Sequence, residues 1–288
     1  MIISEKRLRK FWHAVFALFN KKLIIINTDY MGIGNRLKFL ATYHVNYGLD
    51  NTTLLWNQHG WVNSSLRDII HIEGIESFKE YPIIPNSIMV PIICHPSKPY
   101  FRERGFWRLD IESELPADFY IERNGLRFPS IDFCYETTPM REIERYTAFF
   151  RRLKPSEAVR QRMNEAHIRP EDVCVQVRNT VDDKDTANVP KLSSFIECMK
   201  EFPSHTHFFI STLDSSISKV FYEEFGERII ELPRKQYRSM IDATADMYLL
   251  SKGQVLVVST GSTFGEVAWW LGGCCQKVIQ MPIEITPA

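Results

Sequence analysis

Apolar residues follow two alternating rhythms along this chain. Short unbroken runs of β-branched and aromatic residues alternate with longer stretches in which apolar residues recur every three or four positions. Leu23-Ile24-Ile25-Ile26-Asn27 is the first such run, typical of a strand buried on both faces. From Asn35 to Tyr47, Leu37, Leu40, Ala41 and Val45 share one helical face, and Gly48 offers a C-cap. Thr53-Leu54-Leu55-Trp56 is the next strand. This strand–helix–strand order predicts a βαβ unit and hence a parallel sheet. The rhythm returns later. Val173–Val177, His207–Ser211, Arg228–Leu232, Val255–Val258 and Val278-Ile279 read as strands. Pro190–Phe202, Ser216–Phe225, Ser239–Ser251 and Thr263–Leu271 read as helices, with Gly226 stopping the second.

Between these halves the pattern breaks. From Asn57 to Ser130, Pro82, Pro85, Pro91, Pro96 and Pro99 interrupt regular elements, and Trp61, Tyr100, Phe101, Phe106 and Trp107 suit either packing beneath long loops or an acceptor platform. Pro139 to Ala166 reads as helix with Tyr146, Phe149, Phe150 and Leu153 as its apolar stripe, interrupted at Pro155, which suits the first turn of a second helix. The expected organisation is an N-terminal basic helix (1–20), an α/β domain (21–138), a helical linker (139–166) and a second α/β domain (167–288).

Composition narrows the function classes. The formal net charge of the 288 residues is zero, which argues against a general nucleic-acid binder, since backbone affinity needs excess positive charge. The six cysteines form no C-x-x-C pair and read as reduced core thiols of a cytoplasmic protein. No run approaches the roughly 18 apolar residues that suggest a membrane span. Lys6, Arg7, Arg9 and Lys10 precede an apolar face of Leu8, Trp12, Val15, Phe16 and Phe19, then Lys21-Lys22. That stretch (5–22) is either a helix packed on its own domain or one lying peripherally on the inner face of an anionic membrane.

Candidate chemistry gathers at strand ends, where parallel α/β sheets bind ligands. Gly32-Ile33-Gly34-Asn35-Arg36 is a close-approach glycine turn with an amide and a guanidinium, suited to a phosphate at a helix N-terminus. The third glycine of a dinucleotide fingerprint is absent, since Leu37 stands there, and no Walker-type loop exists. Arg178 directly follows an apolar strand. Thr212 and Asp214 follow another, and Ser259-Thr260-Gly261-Ser262-Thr263-Phe264 a third. Asp246 lies in a helix nearby in sequence and suits orienting a base, a ribose or Arg178. Asp183 and Asp185 could hold a divalent cation on a diphosphate, or form a solvated acidic loop. Asp182, Asp183 and His59 are candidate bases. A phosphate-bearing ligand between two α/β domains accounts for these junctions together.

These residues resemble the fucosyltransferase-like branch of GT-B glycosyltransferases, over roughly residues 22–60 and 140–275. Gly32-Ile33-Gly34-Asn35-Arg36 looks like the family's G-x-G-N-[RQ] loop. Phe149–Ser156 looks like its aromatic-x-x-L-x-P-S linker, and Gln176-Val177-Arg178 like its H-x-R motif. Ala245-Asp246, Leu250-Ser251 and Ser262-Thr263-Phe264 look like its A-D … L-S … S-S/T-F signature. Gln176 replaces the family's histidine, and Asn179 stands where α1,6-type enzymes carry a second arginine.

The resemblance implies a GT-B fold with two Rossmann-like domains facing a cleft, and an inverting, metal-independent glycosyltransferase in polysaccharide biosynthesis. It needs no cofactor. Its partners are a nucleotide-sugar donor, GDP-fucose, and a glycan or glycoconjugate acceptor, with no nucleic acid. Arg178, Asn35 and Asp182 are the implied catalytic residues. Gly32, Gly34, Asn35, Arg36, Arg178, Thr212, Asp214, Asp246, Ser262, Thr263 and Phe264 are the implied donor contacts. Two alternatives stand beside it: a metal-dependent transferase using Asp183 and Asp185, and a binding protein without turnover.

Overall fold

The computed structural model describes residues 22–26, 32–58, 60–75, 79–83, 92–94, 121–123, 126–128, 135, 138, 140–178, 189–236 and 239–282. The chain divides into two compact units, Met1–Lys154 and Pro155–Ala288. The expected N-terminal basic helix, His59, Asn179, Asp182, Asp183 and Asp185 lie outside the described residues.

In the first unit, β1 (Lys22–Ile26) pairs in parallel with β2 (Thr52–Asn57), and β2 with β4 (Lys79–Ile83). β5 (Ile92–Cys94) adds to β1 antiparallel, giving the order β4-β2-β1-β5. The βαβ unit read from the sequence is present. Its helix α1 (Ile33–Tyr47) begins two residues earlier than the apolar spacing suggests, and Gly48 N–H closes it on the His44 carbonyl at 2.7 Å. Leu37, Phe39, Leu40 and Tyr43 are buried along it. Between β2 and β4 lie a one-turn helix α2 (Leu66–Ile69) and a short strand β3 (Ile70–Ile72). A small hairpin, β6 (Ile121–Arg123) with β7 (Leu126–Phe128), follows. Helix α3 (Met140–Phe150) turns Tyr146, Phe149 and Phe150 inward, and the Phe149 ring lies 5.1 Å from that of His44 on α1.

The stretch expected to continue as helix through Leu153 instead forms a short strand, β8 (Leu153–Pro155). Helix α4 (Glu157–Met163) then opens on Ser156, whose Oγ accepts the Val159 N–H at 3.3 Å. Pro155 therefore precedes the cap rather than occupying the first turn. A hydroxyl cap satisfies an N–H that proline cannot.

The second unit is a parallel five-stranded sheet in the order β11-β10-β9-β12-β13. The strands are β9 (Val173–Gln176), β10 (Phe208–Ser211), β11 (Ile229–Ile230), β12 (Val255–Ser259) and β13 (Lys277–Met281). Helices α5 (Leu192–Lys200), α6 (Ser215–Phe225), α7 (Met240–Leu250) and α8 (Thr263–Leu271) connect them. Strand alternation splits the side chains between two faces. Val173, Val175, Phe208, Ile210 and Val257 join Phe195 and Met199 of α5 and Phe221 and Phe225 of α6 in one core. Cys174, Gln176, Phe209, Ser211, Leu256 and Val258 face α7 and α8.

That second face is tight. A Cβ built on Gly265 of α8 would stand 2.8 Å from Val258 Cγ1, so glycine lets the helix approach β12. Cys174, Cys198, Cys274 and Cys275 are free, and of these four Cys174 alone is buried; Cys275 is exposed, so the core-thiol reading does not extend to it. Burial pushes the Cys174 thiol up to about 12.

Candidate functional site

The chain leaves β9 toward β10 and β11 on one side, then crosses back to place β12 on the other. The carboxyl ends of β9 and β12 are thus neighbours at a topological switch point, where open α/β sheets form a crevice for ligands. Arg178 follows the end of β9, and its backbone N–H donates to Ser259 Oγ at the end of β12, at 2.8 Å. Two residues 81 positions apart are joined there.

After Ser259 the backbone turns through Gly261, whose φ of +71° favours glycine. Ser262 caps α8, its Oγ accepting the Gly265 N–H at 3.5 Å, while its own N–H donates to the Ser259 carbonyl at 3.1 Å. Helix geometry leaves the N–H groups of Thr263 and Phe264 without an intrahelical acceptor. The positive end of the α8 dipole lies with them. Ser262 is buried, whereas Thr263, Phe264 and Arg178 are half-buried. This grouping brings Arg178, Ser262, Thr263 and Phe264 together, as the strand ends suggest.

Thr212 and Asp214 are at the end of β10, and both already serve local structure. Thr212 Oγ1 accepts the Asp214 N–H at 3.3 Å. Asp214 caps α6 by accepting from the Ser216 N–H and hydroxyl at 2.9 and 2.6 Å.

Asp246 is buried on α7 beneath the same end of the sheet. Its Oδ2 accepts from Ser211 Oγ and from Arg234 Nη2, both at 2.8 Å. Burial pushes its carboxyl up to about 6; Arg234 and the Ser211 hydroxyl pull the other way, and the neighbouring Asp242 adds to the rise. Of the three roles expected for Asp246, orienting a base, a ribose or Arg178, none is seen directly; the ion pair it makes is with Arg234.

Arg234 was invisible to motif reading. Its Nε also donates to the Thr212 carbonyl at 2.9 Å, so it bridges the end of β10 to α7. Its sequence context, Leu232-Pro233-Arg234-Lys235, carries no signal beyond a cation after a strand. Arg162 was missed as well. It is buried on α4 and donates from Nε to Asp242 Oδ1 at 2.5 Å, with Glu165 and the Pro233 carbonyl as further acceptors.

In the first unit the glycine turn is already helical. Gly32 is the N-cap of α1 in an extended conformation, and Ile33, Gly34, Asn35 and Arg36 form the first turn. A Cβ on Gly32 would meet nothing within 4 Å. Asn35 is half-buried. Arg36, expected to clamp phosphate, is fully enclosed, with its guanidinium 4.8 Å over the Trp56 ring. The negative face of the indole ring attracts the guanidinium there.

A hollow of about 430 Å³ elsewhere in this unit is lined by Leu66, Arg67, Ile70, His71 and Glu80, among others. Glu80 is engaged by the Leu66 and Arg67 N–H groups at 2.7 and 3.1 Å, so it is structural there. Among the described residues no group of three or more His, Cys, Asp or Glu could hold a metal ion. Nor is any described helix long and apolar enough to cross a membrane.

No family model matches the chain. Over 104 residues it is 32% identical to "Probable fucosyltransferase 5" of Arabidopsis thaliana, a match covering 35% of this chain and 19% of that protein. The chain thus spans about a fifth of the length of the curated relative it matches. Among solved structures it is similar to fucosyltransferase NodZ from Bradyrhizobium, with a TM-score of 0.50, 18% identity, and 85% of this chain and 91% of that one covered. It is likewise similar to POFUT1 in its apo form, with a TM-score of 0.50, 10% identity, and 92% and 99% covered. The fold is a mixed α/β one with parallel strands, similar to that of fucosyltransferases of GT-B type.

Proposed function

We propose that this chain is a glycosyltransferase of GT-B architecture that moves a sugar, fucose from GDP-fucose, to a hydroxyl of a glycan or glycoconjugate. One observation carries the reading. At the switch point, the Arg178 N–H is tied to Ser259 Oγ at 2.8 Å beside the Ser262-capped start of α8. A guanidinium and a helix N-terminus at one strand end suit an anion. The fold likeness to fucosyltransferases fits that use of the site.

In this reading the donor nucleotide lies on the second unit, and the two Rossmann-like domains face a cleft. Departure of the nucleoside diphosphate builds charge on phosphate oxygens. The Arg178 side chain and the N–H groups of Thr263 and Phe264 neutralise that charge, with the Ser262 and Thr263 hydroxyls as further contacts. Such neutralisation supplies what a divalent cation would, so the reaction is proposed to run without metal. Asn35 orients the donor from the first domain, and Gly32 and Gly34 let it approach closely. The acceptor hydroxyl attacks the anomeric carbon from the opposite face, inverting it, and Asp182 takes the proton.

Calorimetric titration with GDP, UDP, ADP and CMP, in the presence of EDTA, tests the donor. Selective GDP binding is expected. Arg178→Ala should weaken it and lower transfer by about 10²–10³-fold while the fold stays intact. GDP binding that appears only with added Mg²⁺ or Mn²⁺ would instead favour the Asp183/Asp185 reading. Binding of no nucleotide under either condition would end the transferase proposal.

A further inference from the structure

We infer that Arg234, an arginine outside every recognised motif, is a second cation of the nucleotide site, aimed by a buried ion pair that holds the chain on both sides of it. The inference rests on the donor-site reading above. Arg234 follows β11, on the carboxyl side of the sheet where that site lies. Two of its three guanidinium nitrogens are engaged: Nε by the Thr212 carbonyl and Nη2 by Asp246 Oδ2. The third, Nη1, is buried and has no acceptor among the described residues. An uncompensated charged donor is costly to bury, and an acceptor oxygen of a bound nucleotide would satisfy it.

The fixation of this residue is unusually complete. Arg162 donates to the carbonyl of Pro233, just before Arg234, and to Asp242 Oδ1. The other oxygen of Asp242 accepts the N–H of Lys235, just after Arg234, at 2.9 Å. The backbone is thus pinned before and after Arg234 by one buried pair, and the side chain by Thr212 and Asp246. A second orphaned atom belongs to the same sheet. Gln176 Oε1, buried at the end of β9, also has no donor among the described residues, and Gln176 is the register partner of Ser211, which holds Asp246. Two unmatched polar atoms at the carboxyl ends of β9 and β11, the strands that flank β10, are what a polar ligand edge would cover.

The full chain is titrated calorimetrically with GDP and with guanosine, unaltered and as Arg234→Met and Arg234→Lys. Arg234→Met should weaken GDP at least tenfold, the loss of a charge-assisted hydrogen bond. Arg234→Lys keeps the charge without the planar fork, so it should recover only part of that loss. A loss for GDP alone places the contact on phosphate, and a loss for both ligands places it on the nucleoside; either supports the assignment. Should circular dichroism show that Arg234→Met does not fold, Arg234→Lys decides, a several-fold loss being expected. GDP binding unchanged in folded Arg234→Met or Arg234→Lys overturns this inference and leaves the donor reading standing. No GDP binding by the unaltered chain sinks the donor reading and this inference with it.

Discussion

Two glycines of this chain illustrate different reasons for the same residue. Gly265 has a reason inside the protein, because Val258 Cγ1 would lie 2.8 Å from an added Cβ and a β-branched strand residue cannot swing away. Gly265→Ala should cost about 1–3 kcal/mol, read as a lower urea midpoint. Gly32 has no such reason, since its backbone is extended and open space surrounds the added Cβ. Gly32→Ala should leave the urea midpoint essentially unchanged and weaken GDP, because only a bound ligand would meet the methyl group. Equal affinity would detach Gly32 from the site. Residues of this kind were legible because their neighbours in sequence betray them: Gly32 before a helix, Ser262 as a cap, Arg178 after an apolar run. Arg234 and Arg162 were not. The partners that give Arg234 meaning, Thr212 and Asp246, come from other elements, and Arg162 meets Asp242 80 positions away.

Helix α7 carries the electrostatic design of the second unit. It is buried on almost every side and holds two acids, Asp242 and Asp246, one turn apart. Each is met by an arginine, Arg162 or Arg234. Removing one partner of a buried pair strands the other charge, so Arg162→Met should destabilise by about 3–5 kcal/mol in urea unfolding. The double variant Arg162→Met with Asp242→Leu should recover much of that, which a simple packing defect at Arg162 would not. At this scale the sequence was generous where elements are self-contained. Thr263–Leu271 is helical as read, because its cap and apolar spacing are local. It misled around Leu153, where an apolar stripe that continues α3 is drawn into a strand after Arg152 accepts the Glu73 N–H from far along the chain. The start of α1 was misplaced for a subtler reason: Gly34 and Asn35 are poor helix formers, yet they lie in its first turn.

For the whole molecule, burial of Asp246 makes stability depend on pH. Its carboxyl titrates near 3.8 in an open chain and is pushed up to about 6 in the fold. The folded state therefore holds the proton more tightly. This contribution is fully present below the open-chain value and is lost as pH rises through about 6. Urea midpoints taken between pH 4 and pH 7 should show this loss, and Asp246→Asn should flatten that part of the profile. Arg234→Met, which removes the cation pulling the group down, should carry the loss to higher pH. The parallel second unit was readable from hydrophobic rhythm alone, since five strands alternate with four helices. Its strand order was not, because nothing in an apolar run records which neighbour it will take.

That order has a consequence in time. The sheet is built outward from β9, but the strand that completes the switch point is made long after it. Arg178 leaves the ribosome 81 residues before Ser259. At about 5–20 residues per second, that is an interval on the order of 4–16 s. Throughout it, one edge of β9 stands without its partner, a row of free amides and carbonyls open to any passing strand. The nascent chain thus carries an adhesive edge at the place where the finished protein forms its candidate site.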